Sequence, residues 1–223
     1  MSRMAAMSSP SVAIVDFGMG NLYSVRQACA HSGLDGRITS SPSDLGLADA
    51  IILPGVGAFG DAMATLRETG MADALRAAAA SGKPVVGICL GLQLLMSESL
   101  EFGRHEGLGL VEGDVVYLDR FAGSESPKVP QVGWNRIWRS GDWDGTPLEG
   151  LPHGAFMYFV HSLYVRPRDP SVVLATTRYG NVEFCSSLRQ RNVFACQFHP
   201  ERSGPEGLRM YKNLATTLIA THA

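Results

Sequence analysis

The sequence predicts a single α/β domain. It is a doubly wound, mostly parallel sheet with helices on both faces, extended by antiparallel strands in its C-terminal half. Three observations carry this. Short β-branched apolar runs at 12–16, 50–53 and 84–88 alternate with helical stretches as far as residue 100, which is the β-α-β-α order of a parallel sheet. After Gly103 the chain reads as short strands separated by turn residues, with helix returning only at 204–221. No Ser/Gly-rich linker divides the 223 residues, a length suited to one large domain.

In order, Val-Ala-Ile-Val-Asp at 12–16 is a first strand, ended by the Gly18-Met-Gly20-Asn21 turn, and 22–32 reads as helix. Ile38 and Thr39 suggest a short strand before a Ser-Pro-Ser-Asp turn at 41–44. The strand at 50–53 stops at Pro54-Gly55-Val56-Gly57, and helices follow at 59–69 and 71–81, the second rich in alanine. Strand 84–88 leads into a helix at 90–100 built on Leu92, Leu94, Leu95 and Met96. Strands are then expected at 111–118, 132–138, 155–165, 172–177, 182–188 and 193–198. Residues 1–10 read as a disordered leader with methionines at 1, 4 and 7, and 11–223 as the domain.

A formal charge of −2 gives no reason to expect nucleic acid or an anionic membrane as partner. No apolar run reaches membrane-spanning length, and the leader has no apolar core of a signal peptide. The four cysteines, at 29, 89, 185 and 196, lack zinc-ligand spacing, which fits reduced thiols in a cytoplasm and no metal.

The chemistry centres on Gly87-Ile88-Cys89-Leu90-Gly91. A strand turning sharply into a helix around one exposed nucleophile needs glycine two residues to either side, because a side chain at either flank would collide with its neighbours. The helix N-terminus favours a thiolate at Cys89, and the Leu90 N–H can serve as an oxyanion donor. The other reading is a small buried residue at a tight turn. Pro200 keeps His199 extended, so that Glu201 can reach its imidazole and fix its tautomer; taken alone the segment reads first as a surface turn, and beside an elbow cysteine that reading gives way. The order nucleophile, histidine, acid differs from that of an α/β-hydrolase.

Gly55, Val56 and Gly57 follow a neighbouring strand and could supply a second oxyanion donor, or form a plain turn. Gln93, four residues after Cys89, could bind a substrate amide or fill a buried polar gap. The glycine loop at 18–20 lacks a third glycine, with Tyr23 in its place, so a dinucleotide site is rejected. His161 ends an apolar strand and reads first as structural. Trp134, Trp138 and Trp143 read as packing residues, unless Trp134 is exposed, in which case an interface explains it better.

The motifs Asp16-Phe-Gly-Met-Gly-Asn-Leu22, Pro54-Gly-Val-Gly-Ala-Phe59, Gly87-Ile-Cys-Leu-Gly-Leu-Gln93, Pro130-Gln-Val-Gly-Trp-Asn135, Tyr158-Phe-Val-His-Ser162 and Gln197-Phe-His-Pro-Glu-Arg-Ser-Gly204 together resemble the class I, triad-type glutamine amidotransferases. Within them the chain is most similar to the glutaminase subunits of imidazole glycerol phosphate synthase. The resemblance implies a flavodoxin-like fold, hydrolysis of L-glutamine without a cofactor, and ammonia delivery to a (β/α)8-barrel cyclase subunit in histidine biosynthesis. It implies Cys89, His199 and Glu201 as the triad, and an oxyanion hole from Leu90 and Gly55 to Gly57. Glutamine contacts would come from Gly91, Gln93, Ser162 and Leu163, and a docking face from Trp134, Tyr158, His161 and Arg202. Val132 and Leu163 depart from the usual methionine and aromatic residue. A subunit serving another acceptor, or a non-catalytic glutamine-binding regulator, are the competing readings.

Overall fold

The structure, a computed structural model, describes residues 9–118 and 128–221. In the first half the elements are β1 (Ser11–Val15), α1 (Leu22–His31), β2 (Asp35–Thr39), α2 (Pro42–Leu47), β3 (Ala50–Gly55), α3 (Phe59–Glu68), α4 (Met71–Ala80), β4 (Val85–Cys89), α5 (Leu90–Leu94), β5 (Met96–Ser99) and β6 (His105–Glu106). The second half supplies β7 (Val111–Tyr117), β8 (Gln131–Arg139), β9 (Ala155–His161), β10 (Leu163–Pro167), β11 (Val173–Tyr179), β12 (Val182–Gln190), β13 (Val193–Cys196) and α6 (Gly204–Thr221), with 3-10 turns at Pro170–Val172 and Pro200–Arg202.

The sheet runs β2-β1-β3-β4-β13-β12-β10-β7-β5-β6, with β11, β8 and β9 branching from β12. Strands β2, β1, β3, β4 and β13 are mutually parallel, and β12, β10 and β7 continue antiparallel. Both faces are covered over β1, β3, β4 and β13, which is why these strands are apolar runs rather than alternating ones, while edge strand β2 carries Asp35 and Arg37. Val12 and Ile14 of β1 pack with Val25 of α1 and Leu214 of α6, whereas Ala13 and Val15 pack with Leu45 of α2, Leu66 of α3 and Leu75 of α4.

The predicted architecture is observed, with local corrections. The Ser-Pro-Ser-Asp segment is not a plain turn but the start of α2, with Ser41 as N-cap and proline in the first turn, a position proline favours. The strand at 38–39 begins earlier, at Asp35, pairing in register with Ser11. The helix expected at 90–100 ends at Leu94 and becomes β5. Its carbonyls are captured from elsewhere: Leu94 O accepts from Leu108 N–H at 2.8 Å, Leu95 O from Leu110 and Val111, and Met96 O from Gly109. A Cβ on Gly107 would lie 2.1 Å from Met96 O, so glycine permits this approach.

The single strand expected at 155–165 breaks at Ser162, whose carbonyl takes Leu118 N–H, so that β9 pairs with β8 while β10 pairs with β7. The leader expectation concerns residues 1–8, outside the described residues, except for Ser9 and Pro10. Pro10 is already part of the fold, buried and accepting Asp35 N–H through its carbonyl. His222 also lies outside the described residues. Among the described residues no helix is long and apolar enough to cross a membrane.

Candidate active site

Three adjacent parallel strands bring the predicted motifs together. Gly55, the last residue of β3, is in register with Cys89, the last residue of β4; on the other side Ile88 is in register with Cys196, the last residue of β13. The loop 54–57, Cys89 and His199 therefore leave the carboxyl edge of the sheet side by side, the edge where open α/β sheets bind ligands.

Cys89 has φ 54° and ψ −109°, a left-handed conformation costly for a residue with a side chain. Both flanking glycines are required sterically. A Cβ on Gly91 would lie 1.7 Å from Leu53 O, and one on Gly87 would lie 2.7 Å from Leu95 Cδ1 and 3.0 Å from the Gly91 carbonyl. The elbow is thus real, although α5 behind it has only five residues. What can act on Cys89 is the local backbone N–H groups of this turn rather than a long helix dipole.

The Cys89 sulfur donates to Val160 O at 3.7 Å and accepts from Gln197 Nε2 at 3.6 Å. His199 Nδ1 meets Glu201 Oε1 at 2.8 Å, with both side chains buried. His199 is extended, as its proline predicts, but 200–202 form a 3-10 turn, so Glu201 reaches back through a turn rather than along an extended chain. Two residues for which no such role was expected, Tyr158 and Ser203, hold this segment. His199 N–H donates to Tyr158 O, and Ser203 Oγ both donates to His199 O at 2.6 Å and accepts from Tyr158 N–H at 3.0 Å.

His199 Nε2 is buried without a conventional hydrogen bond, and its electrostatic neighbour is the Cys89 sulfur. Burial works against the imidazolium, but the neighbouring Cys89 sulfur and the Glu201 carboxylate outweigh it and hold the His199 pKa up to about 10. A charged ring facing the sulfur at neutral pH is the arrangement an activated cysteine needs.

A cleft of about 310 Å³ opens over this edge, lined by Val56, Gly57, Cys89, Leu90, Gln93, Glu101, Ser162 and Leu163 among others. Gly55 is buried beneath it; a Cβ there would lie 2.7 Å from Phe17 Cζ. Gln93 is in the cleft wall and also fills a polar gap, donating to Leu163 O at 3.1 Å and Gln197 Oε1 at 3.2 Å. Glu101 was not singled out from the sequence, since the helix expected at 90–100 left it beyond a helix end. It lines the cleft and caps α3 by accepting Phe59 N–H at 2.5 Å.

Of the docking-face candidates, Trp134 is 55% exposed, Tyr158 is half-buried with its ring edge-on to Trp134, and the exposed Arg202 guanidinium lies 4.3 Å over Tyr158. His161 is a correction: it is buried, with Nδ1 2.8 Å from Leu163 O and Nε2 3.1 Å from Gln131 Oε1. Burial lowers its pKa to about 4, so the ring is neutral at pH 7. With Nδ1–H donating to Leu163, Nε2 must accept, which requires the Gln131 NH2 to face it.

The unfolded chain takes up a proton near pH 6.5 that folded His161 refuses until about 4, so stability falls with falling pH across that window. The loss is about 3 kcal/mol. His199, held charged in the folded state, opposes this only near pH 6.5, where its unfolded imidazole is still partly neutral. Urea unfolding across the window is expected to show this slope in the native chain and a flatter one in His161→Gln; equal slopes would remove His161 as its cause.

The sequence profile of the Glutamine amidotransferase class-I family matches residues 13–218. The chain belongs to the class-I glutamine amidotransferase family. It is 47% identical over 208 residues to the imidazole glycerol phosphate synthase subunit HisH of Rhodopirellula baltica, covering 93% of this chain and 98% of that protein. The subunit of the same name from Caldanaerobacter subterraneus is 45% identical, covering 91% and 96%. PurLQS from Thermotoga maritima shares the fold at a TM-score of 0.72 and 20% identity, covering 96% of this chain and 100% of that one. The glutaminase domain of Trypanosoma brucei CTPS does so at 0.66 and 15% identity, covering 95% and 94%. This class-I amidotransferase thus carries the elbow cysteine and the His-Pro-Glu segment on one sheet edge.

Proposed function

We propose that the chain is the glutaminase subunit of imidazole glycerol phosphate synthase, hydrolysing L-glutamine to glutamate and ammonia for a (β/α)8-barrel cyclase partner in the cytoplasm. The observation that carries this is the placement of Cys89 beside the His199–Glu201 pair at adjoining strand ends, under a cleft sized for an amino acid. The high identity to HisH subunits over nearly their whole length supports the choice of acceptor.

In this reading the Cys89 thiolate attacks the glutamine side-chain amide. The Leu90 N–H and an N–H from Gly55, Val56 or Gly57 hold the oxyanion, each such donor contributing about 3 kcal/mol to the transition state. His199, kept charged by its neighbours, gives its proton to departing ammonia and then takes one from the water that releases glutamate; Glu201 holds the ring in place. Gly91 lets the elbow form, and Gln93, Ser162 and the Leu163 backbone line the bound amino acid. Glu101 supplies the negative charge its α-ammonium needs.

Ammonia in neutral water is mostly protonated and no longer a nucleophile, so it must pass to the partner without leaving the complex. Trp134, Tyr158 and Arg202 form the docking face, an exposed tryptophan edge-on to a half-buried tyrosine that lies under a guanidinium. His161 stays behind it as a support for Leu163. The test is glutamate release by the purified chain alone and with a histidine-pathway barrel subunit and its nucleotide. Slow turnover alone and a large increase with both is expected. No release under any condition would overturn the glutaminase reading, and no response to the barrel would overturn the choice of partner.

A further inference from the structure

The triad has a loose end. Glu201 is buried, one carboxylate oxygen is used by His199, and the other, Oε2, has no hydrogen-bond partner. A second orphan lies close by. Tyr211 of α6 is 3% exposed and its hydroxyl is also unpartnered. A buried carboxylate oxygen without a donor and a buried phenol without an acceptor are each costly, and each is what the other lacks.

The helix geometry aims one at the other. The start of α6 sits against the Pro200–Arg202 turn so closely that a Cβ on Gly207 would lie 1.9 Å from Pro200 O. Tyr211 is four residues later, on the same stripe of the helix, and helical side chains lean toward the N-terminus, here back toward that turn. The titratable groups facing its hydroxyl are Glu201 from the turn, Cys29 from α1 and Cys196 from β13, with Glu201 the strongest of the three. A cavity of about 20 Å³ abuts Tyr211, Pro200 and Cys196, which gives the ring slack to close the gap.

We propose that the Tyr211 hydroxyl hydrogen-bonds the outer oxygen of Glu201 and is a positioning residue for the triad, acting on Cys89 through Glu201 and His199. The proposal rests on the glutaminase reading. It gives the carboxylate a second anchor, which fixes its plane against the imidazole.

The experiment is Tyr211→Phe, which removes only the hydroxyl, assayed as the complex with the barrel partner and nucleotide. Expected is a fall in kcat of about tenfold with glutamine KM within about twofold of wild type. In a Glu201→Gln background the same change should add nothing to the loss. A Tyr211→Phe complex with wild-type kcat, whatever its melting temperature, overturns the proposal, as does full additivity with Glu201→Gln. Wild-type turnover alongside an unaltered variant leaves the glutaminase reading standing; absent wild-type turnover removes both.

Discussion

Cys89→Ala is expected to lower glutamine-dependent synthesis by about 10⁴-fold or more while leaving synthesis from added ammonium salts within about twofold of wild type. Sulfur is the atom that the neighbouring His199 ring serves, and no other nucleophile stands at the elbow of β4. Alanine keeps a Cβ, so the positive φ is no more strained than in the native chain, and the variant should melt like it. The ammonium arm separates the two halves of the proposed function. If both activities vanish, the chain does more than supply ammonia. If glutamine-dependent synthesis survives, the thiol is not the nucleophile.

Gly91→Ala is expected to be the most destabilising single methyl addition around the site. Its Cβ would meet the Leu53 carbonyl at 1.7 Å, and the obstacle is backbone of a central parallel strand, which cannot swing away as a side chain does. Overpacking of this kind costs about 3 kcal/mol or more. In a domain of this size that lowers the melting temperature by about 10 °C. Gly87→Ala should be milder, since its first obstacle, Leu95 Cδ1 at 2.7 Å, is the end of a flexible side chain. Thermal melts of both variants check this. A Gly91→Ala protein as stable as the native chain would mean that β3 yields cheaply and that the elbow has no steric need of glycine.

Much of the site was legible one segment at a time. The Gly-x-Cys-x-Gly spacing announces an elbow because the clash that forbids other residues is local to the turn. Pro200 announces an extended His199 because its ring restricts the preceding residue directly, and the 2.8 Å bond to Glu201 follows within two residues. Trp134 could be placed only conditionally, and its 55% exposure settles that condition. Of three errors, two have one source. Residues 95–100 look helical, 41–44 look like a turn, and His161 was offered to the surface. The first is undone by residues 107–111 taking the carbonyls of Leu94–Ser97, and the last by Gln131 and Leu163 closing around the imidazole. Glu101 escaped notice for the same reason, because its role comes from Phe59, far off in the chain.

By itself the sequence determined the alternation of strands and helices, the strained turn at Cys89 and the pairing of His199 with Glu201, since these depend on backbone sterics and side-chain reach over a few residues. Tertiary structure alone decided that β13 enters beside β4, which sets the imidazole next to the sulfur. It also decided that α6 lays Tyr211 over the same turn, with Gly207 letting it approach. Strand order and helix docking are settled by which apolar faces and backbone hydrogen-bonding edges find each other across the whole chain, and no local preference encodes that.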